Sequence, residues 1–101
     1  MKYYSVLDVT PNSEEWIPKY IPTASKLVAK HGGTYLSRTL THEQLEGTDA
    51  PVGVRVIIEW PSKEAATNFM NDPEYAPFLK MRTQGSESNH FLMLGQDDMA
   101  Q

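Results

Sequence analysis

Val52-Gly53-Val54-Arg55-Val56-Ile57-Ile58-Glu59-Trp60 is the stretch on which the fold turns. β-branched residues dominate it, Pro61-Ser62 stops it, and it reads as the strongest strand in the chain. Successive side chains of a strand point to opposite faces. One face therefore carries Val54, Val56, Ile58 and Trp60, and the other carries Arg55, Ile57 and Glu59. The first suits a face covered by helices. The second is mixed rather than plainly solvated.

Downstream, Ser62 is placed to cap a helix carrying Glu64, Ala65, Ala66, Phe69 and Met70. Asp72-Pro73 restarts a helical stretch, with Asp72 as N-cap, Pro73 at the first helical position, and Tyr75, Phe78 and Leu79 at three-four spacing. Gly85 ends it, and Asn89 to Leu94 form the last strand. Upstream, residues 2–9 read as a strand broken by Thr10-Pro11-Asn12, and Ser13 before Glu14-Glu15 marks a helix start. Ile17, Tyr20, Ile21, Ala24, Leu27 and Val28 recur at helical spacing, but Pro18 and Pro22 interrupt it. The expectation is a short turn at 14–17 and a cleaner helix over about 22–30, capped by Gly32-Gly33. Thr34 to Leu40 is a further strand, joined to the deciding stretch by the polar segment 41–51, where Leu45 suggests that the strand resumes after a bulge.

The order is strand, helix, strand, strand, helix, strand: an α+β chain with the ferredoxin-like βαββαβ arrangement, an antiparallel-type sheet carrying its helices on one face. Residues 1–95 read as one such domain and 96–101 as a polar tail. Both sheet faces are partly apolar: the first strand presents Tyr3, Ser5, Leu7 and Val9 on one side and Tyr4, Val6 and Asp8 on the other, and the last strand presents Phe91 and Met93 opposite Leu92 and Leu94. A sheet apolar on both sides with helices on only one invites a second chain, so a homodimer packed sheet to sheet is expected.

With 101 residues there is room for one domain, and 9 Lys plus Arg against 13 Asp plus Glu leave a net charge of −4. That balance argues against nucleic-acid binding. The absence of cysteine removes disulfides, thiolate metal sites and thiol nucleophiles. His31, His42 and His90 show no metal-ligand spacing and there is no dinucleotide fingerprint, so neither metal nor cofactor is expected. No secretory h-region or membrane span is evident, which gives a cytoplasmic expectation.

His31-Gly32-Gly33-Thr34-Tyr35-Leu36-Ser37-Arg38, then Leu45-Glu46-Gly47, Ile57-Ile58-Glu59-Trp60-Pro61-Ser62 and Asp72-Pro73-Glu74-Tyr75, taken in order over about residues 2–95, resemble the domain-of-unknown-function 1330 family. That family is similar in fold to the dimeric α/β-barrel superfamily, which includes cofactor-free quinol monooxygenases, haem-degrading enzymes and lactone isomerases. The resemblance implies the fold and dimerisation, and supplies no reaction.

Arg38, between Leu36 and Leu40 on one strand face, is a candidate clamp for an anion or carbonyl; its plainer readings are a structural salt bridge or an end-of-strand side chain reaching solvent. Glu59 is a candidate base if partly buried, and otherwise pairs with Arg55 or Arg38. His90, on the last strand, is the one histidine placed to face a cleft. Tyr20 and Tyr75, with Tyr35, Trp16, Trp60 and Phe78, would line an aromatic pocket or simply fill the core. Three functional classes stay open: a cofactor-independent enzyme acting on a small hydrophobic or aromatic metabolite, a non-catalytic ligand-binding or stress-related dimer, and an interaction module. A deep pocket with a polar group converging beside Arg38 favours the enzyme, and a filled, dry core there favours the module.

Overall fold

The computed structural model describes residues 1–48 and 53–100. Its elements are β1 (Tyr3–Pro11), α1 (Ile17–Lys30), β2 (Thr34–Thr39), β3 (Val54–Trp60), α2 (Lys63–Met70), α3 (Ala76–Gln84) and β4 (Ser86–Leu94). The strands form one antiparallel sheet in the order β2-β3-β1-β4, open at both edges. This is the expected α+β ferredoxin-like architecture, with the second helical stretch divided into α2 and α3. The first residue of the deciding stretch, Val52, and the end of the loop expected before it lie outside the described residues.

Strand alternation sorts the faces as the sequence implies. Ser5, Leu7 and Val9 of β1 and Val56, Ile58 and Trp60 of β3 are buried beneath the helices, where Ala24, Leu27 and Val28 of α1 and Ala66 and Phe69 of α2 meet them. Burying a side chain such as Leu27 contributes about 2 kcal/mol. Trp60 has no exposed surface, so its indole N–H needs an internal acceptor; Ser5 Oγ provides one at 2.8 Å. Ser62 caps α2 through its side-chain oxygen, which accepts from the Ala65 N–H.

Several details depart from the sequence expectation: β1 runs on through Thr10 to Pro11, and β4 begins at Ser86. Helix α1 runs unbroken from Ile17, with Pro18 in its first turn, where no intrahelical donor is required, and Pro22 on an exposed side, where water can solvate the orphaned carbonyl. Asp72 caps the turn that leads into α3 rather than the helix itself, its Oδ1 accepting from the Glu74 N–H at 2.9 Å. The β-bulge lies inside β2, between Tyr35 and Ser37, and residues 41–45 form no strand. The extra residue moves Leu36 out of alternation, so Arg38 shares the helix-covered face with Tyr35 instead of with Leu36.

Candidate functional site

Helix α1 packs closely along its C-terminal half and diverges from the sheet along its N-terminal half. A cavity of about 900 Å³ opens in the gap. Its floor is apolar, from Leu7 and Val9 of β1 and Val54, Val56 and Ile58 of β3, and its roof is Trp16, Ile17 and Tyr20. Tyr35 and Arg38 of β2 close one end; Tyr75, Arg82 and His90 close the other. A second, more open groove of about 700 Å³ between α3 and β4 shares Met70, Arg82 and His90 with this cavity, so these three residues lie between the two spaces.

The polar groups converge at the Arg82 end. The Tyr20 and Tyr75 hydroxyls are 2.6 Å apart. Arg82, the one fully buried residue of α3, is 3% exposed, and its Nε is a buried side-chain atom without a hydrogen-bond partner among the described residues. His90 Nε2 lies 2.8 Å from Ser5 Oγ, which already accepts from Trp60. Burial, reinforced by the Arg82 charge, pushes the His90 imidazole down to about 4, so it is neutral at physiological pH. Burial first, then the neighbouring Tyr75 oxygen, pushes Tyr20 well above the usual phenol range and keeps it a hydroxyl donor. Tyr35 is also pushed up by burial, against the opposing pull of Arg38.

Of the side chains singled out in the sequence, Tyr20, Tyr75, Arg38 and His90 line this one cavity. Glu59 does not. It lies on the opposite face of the sheet, where Lys2 Nζ donates to it at 2.8 Å and the Tyr4 hydroxyl at 3.3 Å. Its partner is thus neither Arg55 nor Arg38, because strand alternation places Glu59 away from Arg38. The Lys2 hydrogen bond holds its carboxyl below the usual range, which disfavours base chemistry there. Arg38 is held without a carboxylate: its guanidinium donates to Ser25 Oγ at 2.8 Å and stacks 3.8 Å over the Tyr35 ring. Trp60 and Phe78 belong to the core and its margin rather than to the cavity wall.

Arg82 is the site residue that sequence reasoning passed over. Its signal was there: it lies seven residues after Tyr75, two turns on along the stripe that Phe78 and Leu79 continue, so a charge stands on an otherwise apolar helix face. His31, read as a helix-end residue, also has a specific partner. Its Nε2 meets Asp72 Oδ2 at 2.7 Å, and Lys30 Nζ reaches the same oxygen at 3.0 Å. The His31 hydrogen bond, the Glu74 backbone N–H and Lys30 together hold the Asp72 carboxyl well below the usual range. This clamp fastens the end of α1 to the turn before α3. Among the described residues no three His, Asp or Glu side chains are grouped to hold a metal, and no helix is long and apolar enough to cross a membrane.

The model for the domain of unknown function DUF1330 matches residues 2–96. The chain belongs to this family. No curated protein sequence matches it. Solved structures share the fold. A protein of unknown function from Rhodopseudomonas palustris superposes with a TM-score of 0.78 at 18% identity, over 95% of this chain and 83% of that one. SnoaB, a cofactor-independent oxygenase from Streptomyces nogalater, gives 0.69 at 17% identity, over 99% and 98%. A dimeric ferredoxin-like protein of unknown function from Jannaschia sp. CCS1 gives 0.68 at 10% identity, over 93% and 99%. At these identities the likeness is one of fold: the DUF1330 chain shares the ferredoxin-like fold of these proteins.

Proposed function

We propose that this DUF1330 chain is a homodimeric, cofactor-independent enzyme that binds a small, flat hydrophobic or aromatic metabolite between α1 and the sheet. The observation that carries the reading is the cavity itself: an apolar space of about 900 Å³ with Tyr20, Tyr75, Arg82 and His90 converging at one end. Its size and make-up, apolar walls with a few polar groups at fixed points, are those of small-molecule sites, which span roughly 300–1,000 Å³. An interaction module would have filled that volume with side chains. The likeness in fold to the cofactor-independent oxygenase SnoaB supports the enzymatic form of the reading.

The chemistry available is proton transfer. A neutral imidazole can accept a proton, and a buried guanidinium beside it stabilises the negative charge that such a transfer leaves on the substrate. The test uses 1,4-dihydroxynaphthalene, a flat apolar quinol, with chelator-treated protein. Saturable quenching of Trp16, which lines the cavity, is measured without oxygen, and conversion is followed after air is admitted. Saturable binding followed by protein-dependent conversion supports the enzyme. Binding without conversion reduces the reading to a ligand-binding dimer. No saturable binding of this or other flat aromatics overturns it.

A further inference from the structure

The donor and acceptor balance at the Arg82 end of the cavity is unequal. A guanidinium only donates. Arg82 is 3% exposed, no Asp or Glu among the described residues forms an ion pair with it, and its Nε has no partner. Its guanidinium otherwise hydrogen-bonds to the neutral Tyr20 and Tyr75 hydroxyls, and a buried charge with no anion beside it is costly unless something else compensates it. The two phenols beside it hold one hydrogen each, and the 2.6 Å contact between their oxygens uses one of the two. The second hydroxyl hydrogen is left without an acceptor in the Tyr20–Tyr75 pair, and Arg82 cannot accept it. The cluster therefore offers a charged donor and a phenolic donor and contains no anion.

The surroundings have the same sign. Arg38 stands at the far end of the cavity, and His90 is neutral. Among the described residues the one carboxylate on the wall is Glu14, which is exposed. Asp72, an acidic residue lining the second groove, is occupied by His31 and Lys30. A chain with net charge −4 has thus placed a buried arginine at one end of this cavity, with no buried carboxylate among the described residues of its wall; Arg38 and Glu14 are both exposed.

Building on the reading of this cavity as a ligand site, we propose that its occupant is an organic oxyanion: a flat apolar body bearing a carboxylate, enolate or phenolate oxygen, with that oxygen seated on Arg82 and the spare hydroxyl of the Tyr20–Tyr75 pair. Leu7, Val9, Val56 and Ile58 hold the body, and the acceptor-only oxygen takes up the surplus donors.

Three probes of one shape test this. 2-Naphthoate is an anion, 2-naphthamide is its neutral counterpart, and 2-naphthol acquires charge only by losing its proton. The expected result is that 2-naphthoate binds about thirty-fold more tightly than 2-naphthamide, and that Arg82→Met abolishes the difference. Bound 2-naphthol showing naphtholate absorption assigns the enolate or phenolate class; naphthoate preference without that absorption assigns the carboxylate class. Should Arg82→Met fail to fold, the wild-type affinities and the His90 ring protons decide. Naphthoate beside Arg82 raises the titration midpoint of His90, and naphthamide leaves it unchanged. Equal affinity for naphthoate and naphthamide overturns the oxyanion assignment and leaves the cavity reading standing. A preference that survives in Arg82→Met places the charge elsewhere and overturns the assignment to Arg82. If no probe binds saturably, the cavity reading itself fails and this inference with it.

Discussion

The hydroxyl of Tyr20 on α1 and that of Tyr75, in the turn before α3, stand 2.6 Å apart although 55 residues separate them in sequence. This contact bridges the end of α1 that leaves the sheet to the helical stretch that follows α2. Tyr20→Phe and Tyr75→Phe each remove it while keeping a ring, and each should cost about 1 kcal/mol in denaturant unfolding. Because both lose the same bond, the double variant should cost clearly less than the two combined. Strictly additive losses would show that the bridge contributes nothing.

His90 gives the fold a dependence on mild acid. Its imidazole titrates near 4 in the folded chain, against about 6.5 when unfolded. The unfolded state therefore takes up a proton through a window in which the native state does not, and stability falls as pH drops from about 6.5 to 4. Allowing for partial solvent contact, the loss is about 2 kcal/mol. His90→Gln, which keeps a hydrogen-bonding group near Ser5, should flatten this limb between pH 6.5 and 4. An identical slope in the variant would mean that His90 is not desolvated as its position implies.

Trp16 forms part of the cavity roof because Gly85 lets it come close. Its indole N–H donates to the Gly85 carbonyl at 3.0 Å, and a methyl group on Gly85 would overlap the indole ring. Gly85→Ala should destabilise the fold by about 1–3 kcal/mol and move Trp16. Trp60 is fully buried on the far side of the core, so the change in tryptophan emission should come from Trp16. Unchanged emission and stability would show that the roof can shift without cost.

How much of this was legible in the sequence differs between elements. Strand alternation in β3 and the Ser62 cap are local signals, and they placed the sheet faces and α2 directly. The path of α1 was obscured because prolines at 18 and 22 read as breakers, whereas their cost depends on which carbonyls face water, a tertiary property. The bulge in β2 carries no marker in Thr34–Thr39, so simple alternation put Leu36 on the face of Arg38, where the structure puts Tyr35. Tyr20, Tyr75 and His90 were found as residues, but their grouping around Arg82 depends on how α1 and α3 meet across the sheet. Glu59 went astray for the opposite reason: a carboxylate between apolar neighbours looks chemical until a terminal lysine is seen to fold back onto it.

The face on which Glu59 lies carries the last prediction. Val6 pairs with Ile57 on one side and Phe91 on the other, forming an apolar row across three strands, with Tyr4 and Met93 in the next row. Phe91 is 69% exposed, Met93 53%, Ile57 39% and Val6 37%. Contiguous apolar surface of this kind is stabilised by about 25 cal/mol for each Å² taken from water, and no helix of the described residues covers it. A second copy presenting the same row would bury it symmetrically, with the Lys2–Glu59 pair beside the apolar rows. Light scattering at about 50 μM should give twice the chain mass. Phe91→Glu introduces two charges per dimer at the seam while touching nothing in the monomer core, so it should give a folded monomer, the far-UV spectrum unchanged. Conservative Phe91→Leu should remain dimeric. A wild-type chain that is monomeric at that concentration, or a Phe91→Glu variant that stays dimeric, would remove the sheet face as the point of assembly.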